Sequence, residues 1–195
     1  MKYIKTFEQK KDKSEVTSLD FSNNKLIKLP DLSEYTNLQY LDCSDNNLSS
    51  LPELPKTLEY LYCNNNNLTS LPELPKSLKK LHCQHNNLDY IPKLPQLLDS
   101  LDCEGNNLTL LPDLPQSLIG LYCEHNELLS LPELPKTLET LFCYNNKLEF
   151  LPELPASLTI LVCKGNNLPY DNLDGYKEWY AKTYPERIAA KKYNI

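Results

Sequence analysis

Glycine, methionine and tryptophan are scarce in this chain, which has four, one and one of them among its 195 residues. It has no glycine-rich loop to hold a phosphate, no nucleophile elbow around a serine, and no pair of acids at catalytic spacing on a helix. We therefore expect no enzymatic activity and no cofactor. Apolar runs stay far below the roughly 20 residues that a membrane span needs, so no membrane partner is expected.

Basic residues are in the minority, and their shortage is confined to the central part of the chain. The formal net charge is −6, and residues 16–168 hold ten lysines against nineteen acids. An acidic body repels a phosphate backbone, which argues against a nucleic-acid partner. The basic run at Lys10, Lys11 and Lys13 is interpreted as a solvated end, with contact to an acidic surface as the alternative. The first residues contain no secretory signal, so we expect a cytoplasmic protein, and we expect it to be a monomer.

Proline, by contrast, is abundant and periodic. The fifteen prolines fall mostly in pairs such as LPELP, within a unit of twenty residues. The unit that begins at Leu58 reads LEYLYCNNNNLTSLPELPKS. Numbered from its first leucine, a unit has apolar residues at positions 1, 4, 6, 11, 14 and 17, asparagine at 9, and proline at 15 and 18. Such a period is typical of a solenoid, in which each coil contacts only its neighbours.

The pattern within a unit predicts a strand in the first half and an extended segment in the second. Apolar positions 4 and 6 alternate with polar or aromatic residues at 3, 5 and 7, which is the periodicity of a strand with one buried face. The prolines exclude a helix from the second half and favour extended or polyproline-like chain on the outer side. The asparagine at position 9 of every unit is expected to satisfy backbone groups where the chain turns out of the strand.

The motif LxxLxCxxNxLxxLPxLP resembles the leucine-rich repeat, in the short twenty-residue form known from bacterial effectors of the Yersinia outer-protein and IpaH-like type. Similar repeats occur in large-virus proteins. The resemblance implies an α/β repeat solenoid, rich in strand: a right-handed horseshoe with about eight parallel strands on its concave face and an extended convex side. The ubiquitin-ligase domain of some of those effectors is not expected here, since only about twenty-seven residues follow the repeats.

The chain divides into three predicted parts. Residues 1–15 form an N-terminal cap, a strand within Met1 to Phe7 or an irregular segment. Residues 16–168 hold the repeats, whose units start at residues 16, 38, 58, 78, 98, 118, 138 and 158; we call them coils 1 to 8. Residues 169–195 form a helical C-terminal cap, interpreted as a lid on the core, with docking of a partner as the alternative.

Two helices are predicted in the C-terminal cap. Asp171 or Asn172 caps the first, and Pro185 begins the second. The first helix should turn one face to the core, with Trp179 beside that face. The face comprises Leu173, Tyr176 and Tyr180, and the second helix runs through Ile188 and Ala189.

All seven cysteines fall at position 6, in coils 2 to 8, and should form one inward-facing ladder. The strand spacing of about 4.8 Å keeps in-register Cβ atoms farther apart than a disulfide prefers. Thiols strung along an axis do not converge tetrahedrally, so no metal site is expected. We predict reduced thiols that act as small hydrophobes. His85 and His125, each two residues after a cysteine, are predicted to be surface residues that do not meet the thiols.

The outward positions 3, 5 and 7 vary between coils while the framework repeats, and they supply the candidate partner-binding residues. They place aromatics toward both ends of the concave face and acids in its middle. Exposed aromatics are enriched in binding hot spots and carboxylates favour a basic segment, although aromatics also simply suit a strand surface. The candidates are Tyr40, Asp42, Tyr60, Tyr62, His82, Asp102, Glu104, Tyr122, Glu124, Phe142 and Tyr144.

The sequence therefore predicts a non-enzymatic protein- or peptide-binding module that uses the concave face of the solenoid. The expected partner is a protein or peptide, including one with a basic segment. One alternative is a secreted bacterial or viral host-interaction effector or adaptor, which would place the protein in the host cytoplasm. A second alternative is a structural repeat protein without a dedicated partner.

Overall fold

The chain winds into a repeat solenoid whose eight short strands form one parallel sheet in chain order. The computed structural model describes residues 12–185, so most of the predicted N-terminal cap and the predicted second helix through Ile188 and Ala189 lie outside the described residues. A 3-10 turn at Lys13–Glu15 precedes the sheet. The strands are β1 (Ser18–Asp20), β2 (Tyr40–Asp42), β3 (Tyr60–Tyr62), β4 (Lys80–His82), β5 (Ser100–Asp102), β6 (Gly120–Tyr122), β7 (Thr140–Phe142) and β8 (Ile160–Val162). These elements confirm the predicted repeat solenoid.

The strands pair in register along the whole sheet. Leu41 of β2 lies beside Leu61 of β3, which lies beside Leu81 of β4, and the same step continues to β8. The backbone ladder extends beyond the strands, since the position-6 amide of Cys43 donates to the position-5 carbonyl of Tyr62 at 2.8 Å. Side chains alternate along a strand, so positions 3 and 5 face outward in every coil. Residues at one position therefore form a column across the sheet.

The apolar positions of the repeat fill one continuous core. Leu81 and Cys83, at positions 4 and 6, have no exposed surface, and their equivalents in the neighbouring coils are equally buried. Each leucine buried in this way stabilises the fold by about 1.5–3 kcal/mol. All seven cysteines are buried free thiols, which confirms their predicted inward orientation. Burial raises the pKa of Cys43 to about 12, so its thiol is protonated at neutral pH.

The asparagine at position 9 holds each coil to the one before it. In coil 5 the Asn106 Nδ2 donates to the carbonyls of Cys83, Cys103 and Glu104, each at 3.1 Å. Its Oδ1 accepts from the backbone N–H of Leu88 at 3.0 Å. The same four contacts recur for Asn66, Asn86, Asn126 and Asn146, which confirms the predicted structural role.

Position 8 adopts the left-handed backbone region in all eight coils. The φ angles there lie between 53° and 68°, with glycine at Gly105 and Gly165 and asparagine, aspartate or histidine elsewhere. This conformation suits glycine and is tolerated by asparagine, aspartate and histidine. It turns the chain sharply out of the strand, so that the side chain of position 8 points away from the thiol of position 6. His85 and His125 occupy this position and are exposed, as predicted.

The proline-bearing half of each coil contains no helix, as predicted, and ends in a turn closed by a bond such as Leu58 N to Pro55 O at 3.1 Å. A hydroxyl at position 20 then bonds back to the first residue of the same coil. Ser77 Oγ donates to the carbonyl of Leu58 at 2.7 Å, and Ser117 Oγ donates to Leu98 at 2.6 Å. Coil 3 ends on Ser77, whereas coil 4 ends on Leu97, which has no hydroxyl and is 56% exposed.

One helix, α1 (Leu173–Thr183), covers the end of the core after coil 8. Asn172 is its N-cap and accepts from the Gly175 amide at 3.0 Å. Leu173, Tyr176 and Trp179 pack against the core beside the buried Tyr170. The predicted face is thus corrected in one respect, because Trp179 takes the core-facing place assigned to Tyr180. The ring of Tyr170 accounts for this, since its centroid lies 5.2 Å from those of both Tyr176 and Trp179.

Candidate interaction surface

A continuous group of rings covers the concave face of coils 2 to 4. The Tyr40 ring centroid lies 6.4 Å from Tyr60 and 5.3 Å from Tyr62, and Tyr62 lies 4.8 Å from the imidazole of His82. All four side chains are partly exposed. Burial, together with the charge of Lys80, lowers the pKa of His82, so its imidazole is neutral at pH 7. These four residues, the first aromatic cluster, present an apolar surface without a fixed charge.

Asp42, beside this cluster, is satisfied within its own coil. Its carboxylate accepts from the Ser44 backbone N–H at 3.0 Å and from the Ser44 hydroxyl at 2.6 Å. Asp20 in coil 1 accepts in the same way from the amide of Ser22 at 2.9 Å. An aspartate held by a serine two residues later forms a local turn motif. Of the predicted acidic candidates, Asp42 accepts from both an amide and a hydroxyl, whereas Asp102 accepts from the Glu104 amide at 3.3 Å.

The aromatics predicted for the other end of the concave face form two separate contacts. Tyr122 and Phe142 pack edge to face with centroids 5.4 Å apart. Tyr144 instead packs on His125 at 5.0 Å and carries the Lys164 ammonium over its ring at 5.8 Å. We call Tyr122 and Phe142 the second aromatic cluster.

Gly120 allows Tyr122 to lie back along its own strand. A Cβ atom on Gly120 would lie 3.1 Å from a ring carbon of Tyr122, which is tighter than an ordinary contact. The ring therefore leans toward position 3 and away from Glu124 at position 7. This leaves the middle of the concave face to acidic side chains.

Three carboxyl groups lie together between the aromatic clusters. Asp102 is at position 5 of coil 5, and Glu104 and Glu124 are at position 7 of coils 5 and 6. Burial, with a contribution from the charges of Glu104 and Asp102, raises the pKa of Glu124 to about 7. Burial likewise raises the pKa of Asp102 to about 6, with opposing contributions from the Glu104 amide and from His85. The predicted acidic centre therefore holds protons that exposed carboxylates would lose.

Two buried oxygen atoms in this region have no hydrogen-bond partner. One is Oε2 of Glu124, a residue only 4% exposed, and the other is Oε1 of Gln84 at position 7 of coil 4. Buried acceptors in native proteins are normally paired, so each unpaired one calls for an explanation. The sequence singles out neither atom, because a polar residue at an outward position is normally expected to be solvated.

The described residues show neither a metal centre nor a membrane span. Between residues 12 and 185, no three histidine, cysteine, aspartate or glutamate side chains converge as metal ligands would. In the same part of the chain no helix has the length and apolar character needed to cross a bilayer.

Family models match the first part of the repeat region. A model described as Leucine Rich repeats (2 copies) matches residues 14–56, and one described as Leucine Rich Repeat matches residues 57–78. The matched coils continue in register through coil 8 with the same consensus positions. The chain is a leucine-rich repeat protein. Comparison with curated protein sequences gives no match.

Solved leucine-rich repeat structures resemble it over most of its length. YopM from Yersinia enterocolitica WA-314 is 35% identical with a TM-score of 0.69, over 78% of this chain and 38% of YopM. A Shigella effector LRR domain is 35% identical with a TM-score of 0.56, over 72% of this chain and 55% of that domain. The leucine-rich repeat chain thus resembles effector repeat regions while spanning about two fifths to just over half of these relatives.

A third relative shares the stacked thiols. The functional domain of InlJ from Listeria monocytogenes, which includes a cysteine ladder, is 28% identical with a TM-score of 0.59, over 81% of this chain and 41% of that domain. In this chain the cysteines lie in seven consecutive coils, and all seven are buried.

A second apolar surface lies on the flank of the leucine-rich repeat, just past the buried position 11. Its members stand at positions 12 and 13 of coils 4 to 7, outside the columns chosen from the sequence. Each is more than half exposed: Tyr90 at 51%, and Leu110, Leu129 and Phe150 at 61%. We call these four residues the lateral stripe. Its signal in the sequence is an apolar residue at positions where coils 2 and 3 have serine or threonine.

Proposed function

We propose that this leucine-rich repeat protein binds a protein or peptide segment along its concave face, without turnover. The observation that carries the proposal is the first aromatic cluster, in which four partly exposed rings lie in contact across three adjacent coils. A contiguous exposed apolar patch is unusual on a monomeric protein unless it is used in binding. Aromatic side chains of this kind supply most of the binding energy at many interfaces.

The rigidity of the surface supports the same proposal. The concave residues stand on a sheet whose coils are tied by the position-9 asparagines, as at Asn66 and Asn106. A segment that lies on such a surface orders itself without ordering the protein as well, which lowers the entropic cost of association. The acidic centre between the clusters favours a segment with basic residues, because opposite charges increase both specificity and association rate.

The test compares captured proteins for the intact chain and for a variant of its concave aromatics. Alanine at the four positions Tyr60, Tyr62, Tyr122 and Phe142 should reduce capture at least about tenfold, since each aromatic anchor contributes on the order of 2 kcal/mol. Quantitative mass spectrometry after affinity capture measures this effect. Far-UV circular dichroism and a cooperative urea transition establish that the variant is folded.

The matched control carries alanine at the four residues of the lateral stripe. This variant removes a comparable amount of exposed apolar surface from a different face. Specific partners should be retained by the lateral variant and lost from the concave variant. Retention by the concave variant together with loss from the lateral variant would place binding on the flank and refute the proposal.

A second candidate is a bacterial effector or adaptor that acts in the host cytoplasm. The likeness to YopM and to a Shigella effector domain favours it. Such a role requires a host partner for the concave face and a route of delivery. A gene located beside a secretion system, and captured partners that come from host rather than bacterial lysate, would support it. Partners found only in the lysate of the producing cell would contradict it.

A further inference from the structure

The acceptors at the centre of the concave face form a row that crosses three coils. Gln84, Glu104 and Glu124 occupy position 7 of coils 4, 5 and 6, and Asp102 lies beside them at position 5. Adjacent in-register strands are about 4.8 Å apart, so the backbone positions of Gln84 and Glu124 are separated by about 10 Å. We call these four residues the acceptor row. Its two ends carry the unpaired oxygens, Gln84 Oε1 and Glu124 Oε2.

No lysine or arginine of the described residues forms an ion pair with the acceptor row. The ion pairs formed between residues 12 and 185 are Lys13 with Glu34, Lys79 with Glu59, and Lys147 with Glu127. None of them involves a carboxylate of the acceptor row. The Glu104 amide donates to Asp102 Oδ1 at 3.3 Å, but Oε2 of Glu124 and Oε1 of Gln84 have no donor, which is an unfavourable arrangement for the isolated fold.

The charged and titratable groups around Glu124 belong to coils 4 to 8. Asp102 and Glu104 face it from the preceding coil, where His85 from coil 4 leans over Gly105, with its Nδ1 only 2.6 Å from the place of a Gly105 Cβ atom. His125 belongs to its own coil and contacts the Tyr144 ring of the following coil. The ammonium of Lys164, in coil 8, lies 5.8 Å from the ring centroid of Tyr144. The basic groups thus stand at the edges of the acceptor row.

We propose that the acceptor row binds one arginine side chain of the partner segment. This inference rests on the proposed function and specifies the chemistry of its partner. A guanidinium carries donors only, five N–H groups in a planar fork, and so complements the carboxylates and the two unpaired oxygens of the acceptor row. The N–H groups of a guanidinium lie on two edges of one plane and therefore reach acceptors in different coils. The ammonium of lysine, in contrast, is a compact point charge.

Binding of the arginine is coupled to loss of a proton. A neutral carboxyl group does not attract a cation, so Glu124 must be ionised in the complex, and its proton passes to solvent. Because the pKa of Glu124 lies near 7 and that of Asp102 near 6 in the free protein, the affinity for the arginine should rise from pH 5 to pH 8. A purely apolar contact should bind with the same affinity at both pH values.

The test is an NMR titration of the ¹⁵N-labelled chain with three small probes at constant ionic strength. N-acetyl-arginine methylamide carries the guanidinium, the citrulline compound is its neutral isostere, and the lysine compound carries an ammonium. The arginine compound should shift backbone amides in coils 4 to 6. Its dissociation constant should be at least about fivefold smaller than that of the citrulline compound, and smaller than that of the lysine compound.

Two variants link the shifts to the acceptor row. Glu124→Gln keeps the shape of the side chain and removes its charge, and it should weaken binding of the arginine compound at least about fivefold at pH 8. Glu133→Gln, on the convex side where Glu133 is exposed, should leave binding unchanged. In the unsubstituted protein, binding at about pH 5 should be at least about threefold weaker than at about pH 8.

The outcomes separate this inference from the proposed function. Equal shifts by the arginine and citrulline compounds, or an unchanged response in Glu124→Gln, would overturn the arginine assignment even if capture by the aromatic clusters persists. A preference for the lysine compound would overturn the choice of guanidinium. Capture that survives removal of the four concave aromatics would overturn the proposed function itself, whatever the probes do.

Discussion

Replacing Glu124 by glutamine should stabilise the fold near pH 8 and have little effect near pH 5. The folded protein raises the pKa of Glu124 from 4.5 to about 7, so between these values the folded state binds more protons than the unfolded state. Stability therefore falls as the pH rises through this window. Glutamine has the shape of the protonated acid and does not ionise, so the variant escapes the loss.

The size of the effect follows from the shift in pKa. One unit corresponds to about 1.4 kcal/mol, so a rise from 4.5 to about 7 sets an upper bound of about 3.4 kcal/mol. Glu124 exposes little surface but borders the open concave face, where water and ions screen the neighbouring charges. We therefore expect a gain of about 1–2 kcal/mol at pH 8 and less than about 0.5 kcal/mol at pH 5.

Urea unfolding at the two pH values measures the gain. Far-UV circular dichroism is the appropriate probe, since the single tryptophan, Trp179, lies in α1 and reports on the end of the solenoid. With a slope of about 2 kcal/mol per molar urea, the midpoint of the variant should move by about 0.5–1 M at pH 8. The exposed Glu133→Gln variant controls for the change in net charge and should show the same small shift at both pH values.

Two results would refute the reasoning about Glu124. A destabilised Glu124→Gln protein at pH 8 would mean that the carboxylate has a partner in the folded chain. A gain equal at both pH values would mean that the side chain is ionised throughout the range. Either result would also weaken the case for the acceptor row, because that case depends on an unpaired, buried carboxyl group.

Four further predictions concern the framework. Asn106→Ala should lower the free energy of unfolding by about 3–5 kcal/mol, because it leaves several buried backbone groups unpaired. Alanine at the exposed neighbour Asn107 should change the free energy of unfolding by less than about 0.5 kcal/mol, and urea unfolding distinguishes the two variants. In the same assay Asn65→Val should lower the free energy of unfolding by about 1–2 kcal/mol, because residue 65 has a φ of 53°, whereas Asn65→Gly should not lower it. Equal losses in the two variants would mean that backbone strain is not the cause. Leu97→Ser should raise the free energy of unfolding by about 0.5–1 kcal/mol, because serine restores the hydrogen bond that the Ser77 hydroxyl makes in coil 3. An unchanged urea midpoint would show that this hydrogen bond contributes nothing to stability. Ellman's reagent should label none of the seven thiols in the folded protein and all of them in urea; rapid labelling of the native state would contradict their burial.

The strongest sequence predictions concern residues whose environment repeats from coil to coil. Leu61, Cys63 and Asn66 have equivalents every twenty residues, so their burial and their contacts follow from the period alone. The left-handed turn at position 8 was not predicted, although Asn65 and Gly105 are both residue types that tolerate a positive φ. The register of the sheet follows from the period, because a one-residue slip would expose every leucine.

The outward columns behave differently, because their side chains interact across coils and no period describes them. The pairing of Tyr144 with His125 and Lys164, rather than with Phe142, depends on side-chain conformations that only the packed structure decides. The face of α1 depends in the same way on Tyr170, which draws Trp179 to the core.

The amino-acid sequence by itself determined the solenoid, its parallel strands, its buried thiols and the columns that face outward, because the repeat imposes one environment on each position. It also indicated an acidic centre on the concave face. Only the tertiary structure decided that Glu124 is buried, that its Oε2 lacks a partner, and that Asp42 is already satisfied by Ser44. Solvation of an outward side chain depends on its neighbours in the coils before and after it, and those neighbours are twenty residues away in the chain.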